Sequence, residues 1–257
     1  MEDPRASNDP TIRRVRHEMM RRELTVSAVE RITPAMVRVT LSGASLASFA
    51  SASPDDHLKV FVPGADGEPV GRDYTPRHFD TEAGALVIDF VDHDAGPAAA
   101  WARTARAGDT VLVGGPRGSA VIEGDAIARW LLIGDETALP AIGRRIEEFG
   151  PGTPVTSLVA VAGPAEEQTF ATAARLTARW LHRDPGAAAD PAPYLAALET
   201  MEIAHDTFVW VAAEAEVARA IRRHILERGH RKTWMKASGY WAAGRADGAV
   251  KNLEDAA

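Results

Sequence analysis

The chain has 257 residues, 46% of them hydrophobic, with 29 basic against 36 acidic side chains, a formal net charge of −7 and no cysteine. That length accommodates two modest domains with real cores. The missing thiols exclude disulfides, cysteine-ligated iron–sulfur clusters, thiolate catalysis and four-cysteine zinc sites, and the acidic balance argues against a general nucleic-acid binder.

Any redox chemistry then needs a bound organic cofactor. No uninterrupted apolar run reaches the roughly 20 residues of a membrane span, and the N-terminus carries no signal-like apolar core. The expectation is a cytoplasmic protein with no membrane and no nucleic-acid partner. Residues 1–23 are polar and without a sustained period, and read as a loose arm. Arg13, Arg14, Arg16, Arg21 and Arg22 suit either a basic tail or a solvated short helix, and the arm is given no function.

From 24 to 124 the signals are short and β-like, with strands expected at 24–29, 36–41, 57–62, 72–77, 86–91 and 110–113. Each is bounded by Gly, Pro, Asp or Ser, which together predict a small antiparallel barrel. The strand Arg72-Asp73-Tyr74-Thr75-Pro76-Arg77 puts Arg72, Tyr74 and Pro76 on one face and Asp73, Thr75 and Arg77 on the other. An arginine fork can hold a pyrophosphate, a tyrosine ring can lie against an isoalloxazine, and a threonine can hydrogen-bond a flavin nitrogen. An edge strand with exposed charges, ending at Pro76, is the alternative. One helix, from about Gly96-Pro97 to Ala105, interrupts the strands, with Pro97 suited to the first helical position. Its start offers amide groups to a phosphate, or its small residues simply pack tightly on the barrel.

After Gly118 the pattern changes. A strand at 130–133 runs into Gly134-Asp135-Glu136-Thr137 and a helix to about Phe149, with Asp135 or Thr137 as the expected N-cap. Strands at 155–161, 176–181, 208–212 and 234–237 alternate with helices at 193–201 and 215–227. That alternation predicts a mostly parallel sheet over 125–257. Ligands on such sheets bind at the carboxyl ends of strands, here Gly134 to Thr137, Gly163 and Ala213-Glu214. The glycine turn lacks the usual G-x-G-x-x-G pattern and alone says little.

The segments RDYTPR, DFVDHDAGPAAAWA, GDTVLVGGPRGS, LLIGDETALPAI, VWVAAEAEVARAIRRHI and SGYWAAGRA resemble, in order and spacing, those of the siderophore-interacting proteins. These are FAD-dependent ferric-siderophore reductases of the ferredoxin-reductase superfamily, and the resemblance covers residues 24–247. It implies an FAD-binding barrel followed by an NAD(P)-binding α/β domain. By the resemblance, Arg72 and the helix start at Gly96, Ala98 and Ala99 bind the FAD pyrophosphate. Tyr74 and Thr75 hold the isoalloxazine, and Asp89, His93 and Trp101 complete the site. Gly134, Asp135, Glu136 and Thr137, with Glu214 beside them, face NAD(P)H, and Thr137 also faces the flavin. Tyr240 and Trp241 fold back toward the flavin, or else form a buried aromatic pair closing the sheet.

Lys59 and Arg117 match positions where the family tends to be basic and are candidates for an anionic ferric siderophore, with Lys236 and Arg245 next. Family members often carry basic residues where this chain has Ala242 and Ala243. The implied donor is NADPH or NADH, with reduced ferredoxin left open, and the expected state is a monomer. A flavin is the natural adapter between a two-electron hydride donor and one-electron Fe(III), so no catalytic side chain is expected beyond cofactor binding and no metal ligand set is assigned. A general flavin or ferredoxin-type reductase and a non-catalytic ferric-siderophore-binding flavoprotein are the alternatives.

Overall fold

A computed structural model describes residues 9–64, 66–93, 96–245 and 253. In chain order its elements are β1 (Thr11–Arg16), β2 (Arg21–Thr33), β3 (Met36–Ser42), β4 (Leu58–Pro63), β5 (Pro69–Tyr74), β6 (His78–Asp80), β7 (Ala85–Val91), α1 (Pro97–Thr104), β8 (Thr110–Gly114), β9 (Gly118–Glu123), β10 (Arg129–Asp135), α2 (Leu139–Glu148), β11 (Pro154–Val161), β12 (Arg175–His182), α3 (Ala192–Glu199), β13 (Thr207–Glu214), α4 (Ala215–Glu227) and β14 (Met235–Trp241). They form two compact units. One comprises Arg13–Val121 with Gly143–Arg145, and the described residues outside those ranges make the other.

The first unit is built on a seven-stranded antiparallel sheet in the order β5-β4-β8-β2-β3-β7-β6. Strict alternation sends Val37, Val39 and Leu41 of β3 to the same face as their register partners Phe90, Ile88 and Leu86 of β7. All six are buried in one core, together with Leu24, Val60, Val113 and, from α1, Ala98 and Ala102. The expected barrel is barrel-like, but hydrogen bonds do not close it. Its curl shows in Tyr74 of β5, which ends the sheet, meeting Phe90 of β7 from near the opposite end with ring centroids 4.3 Å apart.

The stretch expected to be a loose arm contains β1 and the beginning of β2. β1 pairs with β9, a strand the sequence pattern did not suggest. Arginines interrupt the alternation of β1, which hides it, and a side chain at Gly118 would collide with the Val15 carbonyl, so glycine is what admits the close pairing.

The second unit is a five-stranded sheet in the order β12-β11-β10-β13-β14, with every pair parallel. Leu131, Ile133, Val209 and Val211 pack against Tyr194 and Leu198 of α3 and Val217 and Ile221 of α4. Trp130 and Gly134 point to the other face, where Phe149 and Ile142 of the α2 segment lie. Both faces are therefore covered, as a parallel sheet requires. The strand order reverses direction between β10 and β13, which makes their carboxyl ends the switch point where such folds bind ligands.

Candidate functional site

Within the barrel-like unit the strand β5 stops at Tyr74, and Thr75, Pro76 and Arg77 lie beyond it, buried. The expected six-residue strand is thus half strand and half anchored turn. Pro76 has no N–H to continue a ladder, and the backbone resumes pairing at Arg77, whose N–H donates to Val87 at 2.9 Å. Arg72 and Tyr74 lie opposite Val60 and Leu58 on β4 and share their face, while Lys59 and Asp73 occupy the other. Tyr74, Phe90 and Trp101 form a run of tilted ring contacts, the second pair 5.6 Å apart. Burial pushes the Tyr74 hydroxyl above its usual range, so it stays neutral.

Three features of this seat suit a flavin nucleotide. Thr75 is 7% exposed, yet its hydroxyl has no hydrogen-bond partner among the described residues. The Arg72 guanidinium donates to the neighbouring Gly71 carbonyl, at 2.9 Å, and has no carboxylate partner among the described residues. The start of α1 carries no side-chain cap, its N-cap being Gly96, where a Cβ would stand 2.7 Å from the His93 ring. Ala98 and Ala99 are buried behind it. Asp89 is different: Arg38 holds both its oxygens, at 2.7 and 2.8 Å, with Arg77 3.9 Å away. Its carboxylate organises arginines on the strands rather than standing free. Arg38 was not singled out in the sequence, although its register opposite Asp89 is the signal that locates it.

At the carboxyl ends of β10 and β13 the α/β unit builds a second constellation. Asp135, 1% exposed, accepts from Thr137 N and Thr137 Oγ1 on one oxygen, at 2.9 and 2.5 Å. Its other oxygen accepts from Glu214 N at 3.0 Å and Trp241 Nε1 at 2.9 Å. Glu214, 2% exposed, caps α4 through Glu216 N and Val217 N, and its second oxygen accepts from Ala243 N. Both carboxylates are thus engaged by their own chain and tie the ends of β10, β13 and β14 together. Neither Asp135 nor Thr137 is the N-cap of α2, which is Ala138 without a side-chain bond, because Asp135 still belongs to the strand. Gly134 has a packing reason: a Cβ there would lie 2.6 Å from Ala138 Cβ and 2.7 Å from the Ala212 carbonyl.

Glu136 stands apart. Its carboxylate meets Arg183, 2.6 Å away at the end of β12, whose side chain is only 2% exposed against 27% for Glu136. Burial, and then the charge of Asp135, push the Glu136 carboxyl up to about 7 despite that arginine. A raised carboxyl contributes stability below its ordinary value and loses it as pH rises through about 7. The stability of Glu136→Gln relative to the parent should therefore rise from pH 5 to pH 8. Denaturant melts at the two pH values check this, and a difference of equal size at both would contradict it.

The cationic candidates divide between the units. Lys59 lies in register with Asp73 and pairs with it at 3.1 Å, and it is also opposite Gly114, close in sequence to the exposed Arg117. Lys236 sits on β14 opposite Trp210, and the exposed Arg245 bridges Ala242 across a turn. Tyr240 and Trp241 end β14, with Tyr240 edge-on to Trp210 at 6.1 Å.

Residues 25–70 and 62–120 match the family model of the siderophore-interacting FAD-binding domain, and 127–244 match that of the siderophore-interacting protein. The NADPH-dependent ferric-chelate reductase of Escherichia coli is 34% identical over 252 residues, covering 90% of this chain and 96% of that protein. The crystal structure of a siderophore utilization protein from T. fusca superposes with a TM-score of 0.83 at 38% identity, covering 93% and 98% of the two chains. A ferredoxin reductase of carbazole 1,9a-dioxygenase, 18% identical with a TM-score of 0.65, covers 85% of this chain and 69% of that one and shares the fold.

Proposed function

Because the chain belongs to the siderophore-interacting protein family, we propose that it is an FAD-dependent reductase passing electrons from NADPH to ferric siderophores. The observation that carries this is the seat after β5, where a buried threonine whose hydroxyl has no partner among the described residues, and an arginine with no carboxylate partner among them, flank Tyr74. Bound FAD supplies the exchange between a two-electron hydride and single-electron acceptors. The chain's part is to hold it. Arg72 and the uncapped start of α1 would meet the pyrophosphate, Thr75 would donate or accept at the ring edge, and the tilted rings of Tyr74, Phe90 and Trp101 would wall the seat.

On the α/β unit, the Asp135–Glu214 hub ties the strand ends together at the switch point, and Glu136 and Thr137 beside it would face a donor nucleotide. Charge balance sets the stoichiometry: one NADPH and two Fe(III) give NADP⁺, a proton and two Fe(II). Fe(II) is held less well by hard oxygen ligands, so reduction frees the metal. On the barrel-like unit, Lys59 and Arg117 would supply the positive charge that an anionic chelate needs on a chain of net charge −7, with Lys236 and Arg245 of the α/β unit as the next candidates. Among the described residues no helix is long and apolar enough to cross a membrane, in keeping with a reaction in the cytoplasm.

Anaerobic mixing of the yellow protein with NADPH tests the donor half. The flavin band should bleach, and faster than with NADH. Bleaching by reduced ferredoxin alone would replace the nicotinamide donor, and bleaching by none of the three would leave a binding protein.

A further inference from the structure

The turn that follows Tyr74 is held from behind by a buried polar chain that the flavin assignment does not use. Arg144, on α2 and grouped with the barrel-like unit, is buried. Its Nη1 donates to the Pro76 carbonyl at 3.2 Å and to Ser51 Oγ at 2.7 Å, and its Nη2 donates to the Ser51 carbonyl at 2.9 Å. The guanidinium also lies 5.3 Å from the Phe79 ring centroid.

Ser51 passes the contact on. Its one hydroxyl hydrogen goes to Asp56 Oδ2, at 2.8 Å, which leaves the oxygen to accept from Arg144. The same carboxylate oxygen takes Ser53 N at 3.2 Å and Ser119 Oγ at 2.5 Å. Ser119 Oγ in turn accepts from Ala52 N and meets His17 Nε2 at 2.7 Å. With the Ser119 hydrogen directed at Asp56, His17 carries its own hydrogen on Nε2. Arg144 and Asp56 are therefore a buried cation and anion joined through one hydroxyl, with each neutralising the other where water is excluded.

We infer that Arg144 is a positioning residue for the flavin seat, fixing the Pro76 carbonyl so that the Thr75 hydroxyl and the Tyr74 ring are preset for the isoalloxazine. Thr75–Arg77 has no strand ladder of its own. The Arg77 N–H to Val87 and the Arg144 bond to Pro76 anchor the turn from two directions. A loosened turn leaves the fold intact but makes the cofactor order it on binding, which lowers affinity. This inference rests on the assignment of Tyr74 and Thr75 to FAD.

The test compares Arg144→Gln, Arg144→Lys and Asp56→Asn with the parent in three readouts: FAD dissociation constant, flavin reduction potential and melting temperature of the FAD-free protein. Arg144→Gln should weaken FAD about tenfold and shift the potential, with lysine restoring part of both. Asp56→Asn should move the same way, and the double variant should bind FAD no worse than Arg144→Gln alone, because both act through one chain. A lower melting temperature with unchanged FAD affinity and potential would reduce Arg144 to a stability role and overturn the inference. Should Arg144→Gln fail to fold, Ser51→Ala removes the bridging hydroxyl while keeping the charge, and unchanged FAD affinity there would overturn it equally. A parent protein that takes up no FAD would instead overturn the flavin assignment itself.

Discussion

Arg72→Ala is expected to yield a folded protein that loses its yellow colour on dilution. Arg72 lies beside Tyr74 on one face of β5, and among the described residues its guanidinium has no carboxylate partner. Removing it should therefore disturb little in the free protein. A charge-assisted bond to a pyrophosphate contributes about 1.5–3 kcal/mol, or roughly a 10- to 150-fold loss of FAD affinity. Equilibrium dialysis against free FAD reads that loss directly, with the melting temperature of the FAD-free form as control. Full retention of FAD at dilute concentration would place the pyrophosphate elsewhere.

The largest loss of stability is expected from Asp135→Ala. One buried carboxylate serves the Thr137 amide and hydroxyl, the Glu214 amide and the Trp241 indole, so its removal orphans donors from the ends of β10, β13 and β14 together. Breaking such a buried charged network costs about 3–5 kcal/mol, which corresponds to a fall of roughly 10 °C in melting temperature. Asp135→Asn should recover only part, since its NH₂ must face donors on one side. A melting temperature within about 2 °C of the parent's would mean that the hub carries little of the unit's stability, leaving its carboxylate available to a ligand.

Strands with clean alternation or continuous apolar runs were legible because periodicity alone decides them. The inward face of β3 and the buried run of β10 are examples. The helix expected at 215–227 matches α4, whose start Glu214 caps. What escaped depends on partners distant in sequence. Asp89 looks like a free carboxylate until the β3–β7 register sets Arg38 against it. Glu136 reads as a ligand group until the end of β12 brings Arg183 to it across 47 positions. Pro76 was read within a strand, although a residue without N–H cannot continue the ladder, and the buried turn it makes is what sets Thr75. The Arg144–Ser51–Asp56 chain joins residues whose types are common at surfaces, and only the fold shows them buried.

The central claim is that this chain moves electrons from a nicotinamide through FAD to a ferric chelate. Its most direct test is a single-turnover measurement: protein fully reduced with NADPH under anaerobic conditions is mixed with a ferric siderophore in the presence of an Fe(II) trap. The account predicts that the flavin band returns as two Fe(II) appear per flavin, and that the step slows with added salt when the chelate is anionic. A flavin that stays reduced in the presence of ferric siderophore, with no Fe(II) trapped, would contradict it.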